Sequence, residues 1–208
     1  MFDAPLRRAL DPVLDRAGGI LARAKVRADS VTLVGFGVGL AAIVAVANGD
    51  YGFGLLLFLT NRVADGLDGA VARHIGLSDL GGFLDIVLDF LVYAGMVFAF
   101  AFADPAANAL AAAFLLFAFM GTGSSFLAFA VMAAKRGLAT ERRGRKSLYY
   151  LGGLAEGFET ILFLTLACLL PAWFPWLALG FALLCWITTG CRMVIAVQLL
   201  RESGAGNA

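Results

Sequence analysis

The chain is 208 residues long, enough for one domain of ordinary size. Hydrophobic residues make up 61% and charged residues only 15%, whereas a soluble domain is roughly half apolar and about a quarter charged. With a mean hydropathy of +0.87, too little polar side chain remains to cover a water-facing surface. A water-soluble globule is therefore excluded, and the expected fold is an all-α polytopic membrane protein. The net charge of +1 says little by itself, and no nucleic-acid partner is expected. The informative quantity is where the charges stand.

In chain order, residues 3–28 come first. Leu6, Leu10, Val13, Leu14, Ala17, Ile20, Leu21 and Ala24 recur at three- and four-residue steps, with Arg7, Arg8, Asp11, Asp15, Arg16 and Arg23 on the other face. That pattern predicts an amphipathic helix lying in the membrane interface, or alternatively a soluble cap helix. Charged throughout, the first 29 residues lack the apolar core and cleavage site of a signal peptide.

Six apolar segments follow, at 30–48, 52–74, 79–103, 106–135, 147–170 and 174–200, each near the length of about 20 residues that a bilayer requires. Turn signals at Asn48-Gly49-Asp50, Asp104-Pro105 and Pro171 to Pro175 separate them. The single domain is thus expected to comprise an interfacial helix at 1–29, a six-helix bundle at 30–200 and a tail at 201–208. The second and third spans are expected to form a tight helical hairpin around His74 to Ser78. Gly35 and Gly39 form a GxxxG on the first span, a helix-packing signal that leaves a homodimer open. Trp173 and Trp176 are expected as aromatic anchors at one interface. Cys168, Cys185 and Cys191 lie in apolar runs without a CxxC and read as small core residues.

Lys and Arg set the orientation. Arg7, Arg8, Arg16, Arg23, Lys25 and Arg27 precede the first span, and Lys135, Arg136, Arg142, Arg143, Arg145 and Lys146 bracket the fourth-to-fifth connection. The alternate connections at 49–51, 104–105 and 171–173 carry neither residue. Both termini are expected on the cytoplasmic side of an inner membrane.

Against this apolar background stand Asp65 and Asp68, three apart on the second span, and Asp85 and Asp89, four apart on the third. Each pair shares one helix face. A carboxylate at the bilayer centre costs about 2.5 to 3.5 kcal/mol on insertion scales, so four unpaired ones would cost on the order of 10 kcal/mol by the same scale. Something positive must sit among them, and Arg62 and Arg73 cannot neutralise four anions. Oxygen-only ligands point to a hard divalent ion, Mg²⁺ or Mn²⁺, singly or as a close pair. Gly66, Gly69, Gly81 and Gly82 bare the helix surfaces around them, either for tight packing or for a ligand.

The run Asp65-x2-Asp68-Gly69-x2-Ala72-Arg73-x7-Gly81-x3-Asp85-x3-Asp89 resembles the signature of the CDP-alcohol phosphatidyltransferase family, with Gly82 as the alternative motif glycine. The resemblance implies six spans and a transferase that moves a phosphatidyl group from a CDP-linked lipid to an alcohol, releasing CMP in phospholipid biosynthesis. Asp65, Asp68, Asp85 and Asp89 would hold metal, two Mg²⁺ or Mn²⁺ ions. Asp89 would also be the catalytic base, and Gly69, Arg73 and Gly81 would contact the CDP group. The implied partners are a CDP-linked lipid, a small alcohol acceptor and membrane lipid, with the active site on the cytoplasmic side. Competing readings are an Asp-lined divalent-cation transporter and a non-catalytic membrane scaffold. A transporter should carry charge along its whole path, yet the opposite helix halves hold little beyond Asp50 and Asp104.

Two further charged groups remain open. Arg145 and Lys146, in "GRKS", read either as a topology and lipid-headgroup signal or as a site for the phosphate of an acceptor such as glycerol phosphate or inositol phosphate. Glu156, Glu159 and Arg192 read as an internal ion pair, for instance Glu159 with Arg192, or as acceptor-orienting groups. His74, at the membrane edge, reads as structural.

Overall fold

A computed structural model describes residues 3–135 and 154–205. Within them the chain forms seven helices: α1 (Asp3–Arg23), α2 (Ala28–Ala47), α3 (Tyr51–Ile75), α4 (Asp79–Ala103), α5 (Pro105–Lys135), α6 (Gly157–Leu169) and α7 (Phe174–Ala205), with a 3-10 turn at Pro171–Trp173. The fold is all-helical, as expected. Four helices are long and apolar enough to cross a membrane by length and composition: α2, α4, α5 and the stretch 171–201 that contains α7. Apolar side chains such as Val34, Val63, Phe98, Leu110, Phe117 and Leu183 point outward, which suits a lipid solvent.

The helix ends follow local chemistry. Asp50 Oδ1 accepts from Phe53 N at 3.1 Å to start α3, and Ser78 Oγ accepts from Gly81 N at 3.0 Å to start α4. Asp104 Oδ1 accepts from Ala107 N at 3.1 Å beside Pro105, the first residue of α5. These bonds satisfy amide groups that a helix start leaves open. Gly76 ends α3 at φ +114°, a backbone conformation open to glycine at little cost.

α2 is the centre of the first half of the fold, because it packs against both α3 and α4. Its GxxxG is spent inside the chain: a Cβ on Gly35 would lie 2.9 Å from Ala64 Cβ, and one on Gly39 would lie 2.7 Å from Val92 Cγ2. α3 and α4, although joined by only Gly76, Leu77 and Ser78, stand apart with little backbone approach. This corrects the expectation of a tight hairpin. The two helices face each other across a gap, and α2 forms its third wall.

The second half is α5 packed on α7, joined to the first through α4–α5 and α3–α6 contacts. One apolar core runs through both halves, with Phe100 stacked between Tyr51 and Phe174, and Phe163 stacked on Phe181. α1 docks on α3, where Leu14 covers Gly66, and Gly18 sits so close that a Cβ there would lie 2.7 Å from Ala70 Cβ. Val13 and Ile20 remain exposed. The last helix continues to Ala205, through positions expected to belong to the tail.

A candidate metal and transfer site between two helices

Asp65, Asp68 and Asp85 each present a carboxylate oxygen within 4.8 Å of the others. The spacing explains the convergence. Residues three apart on α3 share a face, and that face looks across the gap at the same stretch of α4. Depth is set by helix rise: Asp65 lies ten positions before Ile75 and Asp89 ten after Asp79, hence each about 15 Å along its helix from the connection.

Asp68 is 6% exposed, and its Oδ2 has no hydrogen-bond partner. A buried oxygen left in that state demands an explanation, and a hard cation supplies one. Oxygen donors alone, two from α3 and one from α4, fit Mg²⁺ or Mn²⁺. The cleft is also lined by Thr32, Gly35 and Phe36 of α2, and its cavity volume of about 10 Å³ suits one water-sized guest.

Asp89 is not part of this group of three. It stands one turn further along α4, and Arg62 Nη1 donates to its Oδ1 at 2.8 Å. The same guanidinium lies 4.0 Å from Asp65 Oδ2. It also donates to the Tyr93 hydroxyl at 2.8 Å and to Asn61 Oδ1. Its carbon sits 4.7 Å from the centre of the Tyr93 ring and 5.7 Å from that of Phe58. Asn61 in turn donates to Gly35 O at 2.9 Å, tying α3 to α2. Thr32, Asn61, Arg62 and Tyr93 had no assigned place in the site from sequence, yet the signal existed. Asn61 and Arg62 precede Asp65 by one helical turn, and Tyr93 follows Asp89 by four, so each extends an aspartate stripe.

Among the glycines, Gly69 and Gly82 face open space, with only Arg73 Nη1 near Gly69 at 3.8 Å. Gly81 has Ser78 Oγ and Asp29 Oδ1 close to it, and Gly66 is covered by Leu14. Arg73 is exposed, 4.0 Å from Asp15 Oδ1 of α1, and His74 Nε2 lies 3.2 Å from the same oxygen. Arg145 and Lys146 lie outside the described residues. Glu156 and Glu159 form a reciprocal capping box at the start of α6, with Glu156 N donating to Glu159 Oε2 at 3.1 Å. Arg192 donates to Thr122 O at 3.1 Å and stands over the Phe126 ring.

The family model described as CDP-alcohol phosphatidyltransferase matches residues 25–191. The chain belongs to that family. Within the family it is similar to the inner membrane protein YnjF of Escherichia coli, at 51% identity over 93% of this chain and 94% of that protein. It is also similar to the archaetidylinositol phosphate synthase of Methanothermobacter thermautotrophicus, at 40% identity over 42% of each chain. Among solved structures, the phosphatidylinositol phosphate synthase of Mycobacterium tuberculosis, with CDP-DAG bound, matches the fold. Its TM-score is 0.57 at 20% identity, over 92% of this chain and 94% of that one. The chain is therefore an enzyme of CDP-alcohol phosphatidyl transfer, carried on membrane-spanning helices.

Proposed function

We propose that the protein transfers a phosphatidyl group from CDP-diacylglycerol to a phosphorylated alcohol, releasing CMP at the cytoplasmic face of an inner membrane. The observation that carries this reading is the carboxylate triangle of Asp65, Asp68 and Asp85 around an orphaned buried oxygen, in a gap between membrane helices. A lipid diphosphate needs a cation site at membrane depth, and these residues offer one.

Asp65, Asp68 and Asp85 would hold the divalent ion, which when bound supplies charge neutralisation for the diphosphate and its leaving oxygen. Gly69 and Gly82 leave the helix surface open for the nucleotide, beside Arg73. Asp89 is the base. Its carboxylate takes the proton of the acceptor hydroxyl as the new O–P bond forms and the bond from phosphorus to CMP breaks. Arg62 grips Asp89 Oδ1 and so fixes the orientation of that carboxylate. A single cluster at one depth favours a transferase over a transporter.

The phosphorylated acceptor rests on two supports. Arg145 and Lys146 place cations before α6 in sequence, and the synthases named above make inositol phosphate lipids by their names. The test is metal-dependent CMP release from CDP-diacylglycerol by purified protein in detergent, with a panel of acceptors. Glycerol phosphate or inositol phosphate is expected to drive release, and chelation of the metal to abolish it. Equal release with free glycerol, inositol or serine refutes the phosphorylated acceptor. Changing Arg145 and Lys146 to Gln is expected to raise the acceptor KM about ten- to a hundredfold, the loss of one charge-assisted hydrogen bond, with little change in the KM for CDP-diacylglycerol.

A further inference from the structure

We propose that Asp15 of α1 is a positioning residue for nucleotide binding, holding the Arg73 guanidinium beside the open face of Gly69. This assignment rests on the reading above that gives Arg73 to the nucleotide. It brings in a residue that the sequence placed only on the polar face of an amphipathic helix.

Arg73 follows Gly69 by four positions on α3, so the two share one helix face. Its Nη1 stands 3.8 Å from where a Gly69 Cβ would lie, while its Nε is 4.0 Å from Asp15 Oδ1. The guanidinium thus reaches from α1 to the bare helix surface. Asp15 meets its Nε side and Gly69 its Nη1 side, which leaves part of the planar fork for phosphate oxygens. Arg73 is half-exposed in the last turn of α3. Without a restraint, such an arginine extends its head into water and samples many rotamers.

Asp15 is itself fixed. Leu14 covers Gly66 and Gly18 abuts Ala70, so α1 is seated on α3 to either side of Asp15 in sequence. His74 Nε2 lies 3.2 Å from both the Asp15 carbonyl oxygen and Asp15 Oδ1. Backbone and carboxylate are thereby fastened to the residue next to Arg73. A cation ordered before the ligand arrives lowers the ordering cost that binding otherwise carries. The negative charge of Asp15 opposes an anionic ligand, but it is half-exposed and screened by water and salt. The ordering of Arg73 therefore outweighs it.

The test is binding of labelled CDP-diacylglycerol to the detergent-solubilised full chain with Mg²⁺ and no acceptor. The variants are Asp15→Asn, Arg73→Gln and the two combined. Asparagine keeps the size and an oxygen for His74 and removes the charge. Asp15→Asn is expected to raise the Kd about two- to fivefold, the scale of an exposed ion pair. Arg73→Gln is expected to raise it about tenfold or more, as the loss of a charge-assisted hydrogen bond does. The double variant should bind no more weakly than Arg73→Gln alone, because the two side chains act as one unit. Asp15→Glu retains the charge and is expected to stay within about twofold of wild type. An unchanged or lower Kd in Asp15→Asn, or multiplied losses in the double variant, overturns the inference. So does faster proteolysis within residues 11–27 of Asp15→Asn, which would assign the residue to docking α1. If Arg73→Gln leaves the Kd unchanged, the nucleotide reading of Arg73 fails and the inference with it. A defect in Arg73→Gln without one in Asp15→Asn sinks the Asp15 role alone. CMP release on the same samples tests the transferase reading separately, because the Kd values stand whatever that assay returns.

Discussion

Asp89 and Arg62 are 27 positions apart in sequence and joined by a 2.8 Å hydrogen bond. Their pairing sets apart the position of one of four aspartates that look alike in the signature. Three converge on a common point, and the fourth is held one turn away at the edge of the cluster. Asp89→Asn keeps the shape and removes the basicity. Its CMP release is expected to fall about 10²- to 10⁴-fold, the usual cost of losing a general base, while binding of labelled CDP-diacylglycerol persists. Turnover within about threefold of wild type would refute the base assignment. The aspartates were legible in sequence because charges inside apolar spans are conspicuous. The partner of Asp89 was not, because Arg62 could equally have faced Asp65 alone, and only the relative rotation of α3 and α4 decides.

At the level of elements, the expected spans at 30–48, 52–74, 79–103 and 106–135 correspond to helices at 28–47, 51–75, 79–103 and 105–135. Composition located them because Asn-Gly-Asp, Gly-x-Ser and Asp-Pro breaks carry their own capping chemistry. The gap between α3 and α4 was hidden, since a short connection fixes that two helices are neighbours but not that α2 wedges between their faces. Two element-scale consequences can be measured. A side chain at Gly18 has no room, because Ala70 offers a Cβ at 2.7 Å and a backbone carbon at 2.8 Å. Gly18→Val should therefore loosen α1 from α3, costing about 1 to 3 kcal/mol as overpacking does, read as faster proteolysis within residues 11–27. Unchanged protection would show that α1 is not held there. The pair Glu156 and Glu159 read from sequence either as part of an internal ion pair or as acceptor-orienting charge, and in the structure it caps α6. Its signal was present as two acids three apart at a helix start. Glu156→Ala should lower thermal stability by about 0.5 to 2 kcal/mol, as cap losses do, with the acceptor KM unchanged. A raised KM at unchanged stability would restore the acceptor role.

For the whole molecule, the one-sided placement of Lys and Arg in the sequence predicts the orientation of the bundle. By the positive-inside rule the arginines of the first 27 residues and the basic run at 135–146 are expected on one side, and the bare turns at 49–51 and 104–105 on the other. A C-terminal alkaline phosphatase fusion is therefore expected to be inactive in a bacterial host, and strong activity would refute cytoplasmic termini. On the proposed orientation the α3–α4 connection, and with it the aspartate cleft, would face the cytoplasmic side, where acceptor and CMP are soluble.

That cleft has a consequence for how the protein is made. α3, at 25 residues, is long enough to span a bilayer but is absent from the helices apolar enough to do so unaided, because Asn61, Arg62, Asp65, Asp68 and Arg73 all lie on it. α2 and α4 are apolar enough, and α2 leans on both α3 and α4. During synthesis α3 should thus linger at the edge of the insertion machinery until a neighbour emerges to accept its polar face. A nascent chain stalled with α3 as its last emerged helix should remain extractable across that segment, while one extended past Asp104 should resist extraction. α3, which carries Asp65 and Asp68, is thereby expected to depend on its neighbours from birth, and mutations in α2 should appear first as defects of membrane integration.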